Sequence, residues 1–416
     1  MNAIDHPADA ARARAVATPI PSAGAIVFAS SIAMAVAMGI GRFAFTPIMP
    51  MMIGEGALDL DFAGTLAAIN YGGYLLGALL CMALPAVWSS VTLVRCGLIA
   101  TVLLTLAMMI PSQTAWIVLR FVIGIFSAIT FVHTARWCLT LVAEQGKAAL
   151  GAMMFVGVGV GIALLGVATW VMIGLGLTSR DGWLCFAIMG AGLVAMIWRT
   201  LRGAPAMEPV VPRAATGPAP ARDNAGEMTL FAFAYGLAGF GYIITATFLP
   251  VIARASLPPT LWVDLFWPIL GICAAIGSIL STRVHMVSDP RTALTACYFI
   301  QAAGIGLTVL VPTVPGFIIG SALTGLPFLG INYFAMQEVR RLRPHQAARY
   351  MGLLTALFGI GQIVGPPLVT VIQRFSATER AGFDQSLEIA AGALVLGGIL
   401  YILMEWVWPG RPARRR

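Results

Sequence analysis

Apolar runs of about 18 residues or more recur along the chain between short polar breaks, each long enough to cross a hydrocarbon core about 30 Å thick as an α-helix. Twelve spans are predicted, at 25–48, 62–84, 91–110, 115–139, 148–173 and 183–199, then at 227–252, 261–282, 292–311, 315–337, 350–372 and 387–408. The sixth and seventh are separated by "LRGAPAMEPVVPRAATGPAPARDNAGE", rich in Pro, Ala and Gly and poor in large apolar side chains, which reads as a flexible linker. The predicted organisation is a polar tail at 1–24, a six-helix half at 25–200, a linker at 201–226, a second six-helix half at 227–408 and a basic tail at 409–416. The expected fold class is an all-α membrane protein of twelve transmembrane helices. The apolar run after residue 24 resembles that of a signal peptide, but its leader is long and no cleavage site introduces a polar mature chain, so it is read as the first span.

Composition narrows the class. Of 416 residues 59% are hydrophobic and 10% charged, with a mean hydropathy of +0.90, which excludes a soluble multidomain protein. The net charge of +8 invites a polyanionic partner, but the basic residues crowd into alternate loops, as the positive-inside rule expects, and nucleic acid is excluded as a partner. Arg180, Arg254, Arg374 and Arg380 fall on the opposite side, and both termini are placed in the cytoplasm. The six cysteines lack paired spacing, so neither a disulfide framework nor a metal site is expected, and no cofactor is.

An internal repeat accompanies the linker. "GIGRFAFTPIMP" from Gly39 aligns with "GFGYIITATFLP" from Gly239 at an offset of 200 residues, pairing Gly39 with Gly239, Gly41 with Gly241 and Pro50 with Pro250. The same offset pairs Gly77 with Gly277, Gly159 with Gly359 and Gly161 with Gly361. Two parallel, pseudo-symmetric six-helix repeats follow. Gly73 and Gly124, with Gly39, Gly41, Gly77, Gly239, Gly241, Gly359 and Gly361, are expected at close helix crossings. "GVGVG" at Gly157 lies inside an apolar span with no preceding strand, and reads as packing rather than a dinucleotide loop.

"GIGRFAFTPIMP", followed by "NYGGYLLGALL" from Asn70 and "RFVIGIFSA" from Arg120, resembles the YbfB/YjiJ-type branch of the major facilitator superfamily. The resemblance extends through all twelve spans. It implies a multi-pass transporter of the bacterial inner membrane, working as a monomer on a small-molecule substrate, whose halves rock about a site near the bilayer midplane. Proton coupling is an expectation of that resemblance. Two departures stand out: "GALLCMALPAVWSSVTLVR" lacks the Asp-Arg pair common after span 2, while "GSILSTRVHMVSDPR" keeps Arg283, Asp289 and Arg291. The Gly-Pro pattern that span 5 carries in many drug/proton antiporters is also missing.

Three arginines fall inside spans. A charge near the bilayer centre costs about 2.5–3.5 kcal/mol on insertion scales, so each needs a protein, water or ligand partner. Arg136, near a span end beside Trp137, reads as a side chain reaching for the interface. Arg42 and Arg120 lie at similar depth, and two guanidiniums facing one cavity favour an anion, because a planar fork of donors matches a carboxylate or phosphate. The alternative is that helix-end carbonyls satisfy them and neither touches substrate. Asn70, Tyr71, Tyr74, Tyr242, Asn332, Tyr333 and Gln362 are candidate hydrogen-bonding residues around them, with interhelical bonding as the competing role. No acid falls mid-span, leaving His133 as the candidate proton site, against a role as a buried packing histidine. The rival functions are an efflux carrier for lipophilic compounds and a non-transporting membrane sensor. An enzyme is not expected, because no Ser/His or His/Asp/Glu set converges within the spans.

Overall fold

The computed structural model describes residues 21–83, 88–202, 225–258, 260, 262–284, 289–343 and 346–409. Residues 1–20 and 410–416 of the expected tails, and 203–224 of the expected linker, lie outside them. Twelve helices among the described residues are long and apolar enough to cross a membrane. They are α1 (Ala23–Gly54), α2 (Leu60–Ala83), α3 (Ser90–Ala107), α4 (Gln113–Glu144), α5 (Ala148–Gly174) and α6 (Ser179–Ile197), then α7 (Gly226–Ser256), α8 (Val263–Arg283), α9 (Pro290–Leu310), α10 (Val314–Leu342), α11 (Arg349–Phe375) and α12 (Glu379–Val407).

Several boundaries depart from the apolar pattern for local reasons. Helix α12 starts at Glu379 rather than 387: the Thr378 hydroxyl caps Ala381 N at 3.2 Å, Glu379 favours the first turn, and Arg380 reaches Asp384 one turn on. Helix α6 starts at Ser179 rather than 183, behind a Thr178–Asp181 capping box. These polar turns extend a helix beyond its apolar stretch. Helix α10 is broken at Leu326–Pro327, since proline supplies no amide donor to the ladder. Helix α1 is α-helical over Ala23–Met34 and Phe45–Gly54 but π-helical over Ala35–Phe43, a nine-residue interruption that hydropathy alone does not signal.

The helices form two pseudo-symmetric halves, α1–α6 and α7–α12, joined along two seams, α2 against α11 and α5 against α8. The repeat of 200 residues reappears as equivalent packing. A Cβ at Gly77 would press on the Ile125 carbonyl of α4, and one at Gly277 on the Leu326 carbonyl of α10. Gly161 lies against Ala35 and Gly39 of α1, as Gly361 lies against Gly236 and Gly239 of α7. Gly73 and Gly124 both meet carbonyls across the α2–α4 crossing, of Phe121 and Asn70 respectively. Gly41 meets Ser127, Gly239 meets Phe358, Gly241 meets Ala390 and Leu394, and Gly359 meets Leu75.

The ends of the bundle differ in chemistry. At the face where α1 begins, hereafter the basic face, Arg291 of α9 bonds Glu338 of α10 at 2.5 Å, Glu227 of α7, and the carbonyls of Met404 at 3.3 Å and Trp408 at 3.0 Å. Arg341 joins Glu338 at 2.8 Å to Asp289 at 2.6 Å. This network staples the second half. At the corresponding positions of the first half stand buried Val91 and Cys138 in place of Arg291 and Glu338. At the opposite face Arg374 of α11 and Asp61 of α2 pair across the halves at 2.8 Å.

Candidate functional site

Arg42 lies in the last turn of the π-helical stretch of α1, which no side chain caps and where Gly39 and Gly41 allow neighbouring helices to approach. A π-helical interruption widens the turn, and such stretches recur at functional sites. The arginine is 2% exposed. Its Cζ stands 4.1 Å from the Tyr74 ring centroid and 4.9 Å from that of Tyr71, both on α2, so its charge rests on two π faces. Its Nη2 donates to Gln362 Oε1 of α11, and Gln362 Nε2 donates to the Tyr242 hydroxyl of α7. Nε has no partner, and Arg42 forms no ion pair among the described residues.

Arg120 plays a different part. Also 2% exposed, it donates from Nη2 to the carbonyl of Arg42 at 3.2 Å and lies 5.0 Å over the Phe45 ring. Asn70 completes the brace, with Nδ2 2.9 Å from the Arg120 carbonyl and 3.4 Å from that of Gly41. Ser127, further along the same face of α4, donates to the Ala37 carbonyl. The α4 stripe of Arg120, Gly124, Ser127 and Thr134 is buried, with Phe131 partly buried, and two of its members, Arg120 and Ser127, donate to carbonyls of the π-helical stretch.

The structure thus joins Arg42, Arg120, Asn70, Tyr71, Tyr74, Tyr242 and Gln362. Asn332 is linked only indirectly: its Oδ1 accepts from Tyr235 at 2.5 Å, and Tyr235 stacks on Phe358, 4.9 Å between centroids, which in turn stacks on Tyr242 at 5.6 Å. Tyr333 packs edge-on to its neighbour Phe334 and is not joined to the group by these contacts. His133 stands apart, on the α3–α4 seam toward the basic face, 3.4 Å from Ser90 Oγ. Thirteen residues of helix, about 20 Å of rise, separate it from Arg120.

Residues not anticipated complete the centre. The Tyr71 hydroxyl lies 2.8 Å from Thr247 Oγ1, and Thr46 reaches the Ala246 carbonyl at 3.4 Å, so α1 and α2 are tied to α7 across the halves. A central cavity of about 10 Å³ is lined by Phe43, Tyr242, Ala246, Trp267, Thr324 and Phe328, among others. Trp267 and Phe328 sit within apolar runs, where an aromatic reads as filler, whereas Thr247 carried a readable signal as a hydroxyl on the repeat of the Arg42 segment. Among the described residues no group of three or more His, Cys, Asp or Glu is placed to hold a metal.

Comparison with known proteins places this geometry. The profile of the family described as "Uncharacterised MFS-type transporter YbfB" matches residues 34–402. No curated protein matches the chain in sequence. Among solved structures, the nucleoside transporter NupG is similar at 16% identity and a TM-score of 0.66, covering 92% of this chain and 100% of that one. A bacterial homologue of the human lysosomal transporter Spinster, in an inward-facing and occupied conformation, is similar at 14% identity and a TM-score of 0.71, covering 95% and 100%. At these identities the likeness is one of fold.

Proposed function

The chain belongs to the YbfB-type family of major facilitator transporters, and from that premise we propose that it carries a small organic anion across the membrane by alternating access, with Arg42 as the charge-binding residue. One observation carries the reading: a guanidinium buried between the halves and held by tyrosine faces and a neutral amide, with no acid paired to it among the described residues. An arriving carboxylate would exchange a neutral acceptor, Gln362 Oε1, for a charged one, and charge-assisted bonds are roughly twice as strong as neutral ones. The amide and the tyrosine behind it belong to the second half. An anion taking over Arg42 would therefore alter a contact between halves, which is what coupling of binding to rocking requires.

Arg120 is read as a positioning residue, because its hydrogen bond goes to the Arg42 backbone and its face to Phe45. Proton coupling, if the cycle uses it, falls to His133, which would act at a distance from Arg42. The carrier is taken to be a monomer of the bacterial inner membrane with its basic face and both termini in the cytoplasm, on the positive-inside pattern. A second reading, efflux of lipophilic compounds, draws on the aromatic lining of the central cavity.

The test is a thermal-shift screen of the detergent-purified protein, since a ligand of the native state raises its Tm. Small carboxylates and organophosphates are compared with lipophilic cations on wild type, Arg42→Ala and Arg120→Ala. Stabilisation by anions that Arg42→Ala abolishes is the expected result. Stabilisation by lipophilic compounds alone, equal in all three proteins, would transfer the argument to the second reading.

A further inference from the structure

The cavity beside Arg42 has a lining more specific than anion capture requires. Phe43 meets Trp267 edge-on at 6.1 Å and Phe328 at 6.4 Å, while Tyr242 lies 4.7 Å from Phe328 with the planes tilted by 33°. Four rings from α1, α7, α8 and α10 thus border one small space. It lies one side chain from the charge: Arg42 Cζ stands 5.7 Å from the Phe43 ring centroid, and Tyr242 is reached from the guanidinium through Gln362. Two of its lining residues carry donors, Trp267 Nε1 and Thr324 Oγ1, that are fully buried and have no partner. Trp267 is 1% exposed and Thr324 2%.

Each feature points to the same ligand chemistry. Rings grouped edge-to-face and offset form faces and slots for another planar ring rather than for a flexible chain. Buried donors left without acceptors favour a ligand that brings one, because a site built to hydrogen-bond a group rejects analogues lacking it. Resting on the anion reading above, we propose that the substrate is a planar aromatic carboxylate with a hydrogen-bond acceptor in or on its ring. The carboxylate is held by Arg42, the ring lies among Phe43, Tyr242, Trp267 and Phe328, and the acceptor is met by Trp267 Nε1 and the Thr324 hydroxyl.

At about 10 Å³ the cavity holds roughly one water and no ring. Its walls come from both halves, Phe43 from the first and the other three rings from the second. The slot therefore opens and closes as the halves move, and a substrate that fills it is sensed by both.

Isothermal titration of the full-length protein with matched probes tests the assignment. Benzoate, cyclohexanecarboxylate, pyridine-3-carboxylate and benzamide separate ring planarity, ring acceptor and charge. Benzoate is expected to bind roughly 3- to 10-fold more tightly than its saturated counterpart, as one or two ring contacts provide, and pyridine-3-carboxylate more tightly still. The additional gain of the pyridine should vanish in Trp267→Phe and in Thr324→Val, either of which suffices if the other does not fold, while benzoate binding persists. Equal binding of cyclohexanecarboxylate and benzoate overturns the aromatic assignment and leaves the anion reading standing. Binding of benzamide but no carboxylate removes the anion reading, and this substrate class with it.

Discussion

Arg42 and Tyr242 occupy equivalent positions of the two repeats, and a single side chain joins them: Gln362 accepts from the arginine and donates to the tyrosine. The amide occupies the acceptor position that the proposed anion would take.

Gln362→Glu places a permanent carboxylate on Arg42. The folded protein is expected to keep or raise its Tm, since a buried charge gains a counter-ion, while stabilisation by added carboxylates disappears. A thermal-shift series across anions reads both effects at once; a variant that still responds to carboxylates would place the anion elsewhere.

Arg120→Met removes the donor to the Arg42 carbonyl and the contact over Phe45. A loss of about 1–3 kcal/mol in stability is expected. The order of preference among ligands should survive, which competition binding will show. A changed order would make Arg120 a contact residue rather than a brace.

Gly124→Ala sets a methyl group against the Asn70 carbonyl, and should destabilise by roughly 1–3 kcal/mol. Gly72→Ala, one residue from Gly73, meets nothing within 4 Å and should stabilise α2 by about 0.5–1 kcal/mol. Opposite signs from two glycines at one pair of helices are read directly from melting curves.

At the basic face Glu338→Gln removes one of two acids from Arg291, which keeps Glu227, and from Arg341, which keeps Asp289, and should cost about 1–3 kcal/mol. The pair Arg291→Val with Glu338→Cys, which copies the residues of the first half, should cost less than the two single changes added together. Additive losses would mean that the network is not acting as a unit.

Much of this architecture was legible in the chain. Spans of about twenty apolar residues leave few alternatives in a bilayer, and a shared offset of glycines exposed the repeat, because helices that touch through backbone tolerate no side chain. Arg42 and Gln362 were legible for the same reason in reverse: polar groups in an apolar run need partners. What escaped notice was the π-helical turn at Ala35–Phe43, which changes hydrogen bonding without changing hydropathy. The aromatic lining escaped too, since Trp267 and Phe328 differ from ordinary packing residues only by what stands opposite them. His133 satisfied the chemistry of a proton site, and its separation from Arg120 by thirteen residues of α4 was already in the sequence; its seat against Ser90 on the α3–α4 seam was not, because that depends on how α3 packs.

The Asp61–Arg374 pair spans the halves where they must part if that face is to open. Both side chains are largely open to water, at 41% and 64%, so the contact is worth at most about 1 kcal/mol, within reach of ordinary thermal fluctuation. Such a contact behaves as a catch and not as a lock: it sets no threshold, it is remade in every cycle, and raising the ionic strength should hardly alter turnover. Whatever holds that face shut must instead be the packing of helix surfaces beneath it, and salt is no throttle.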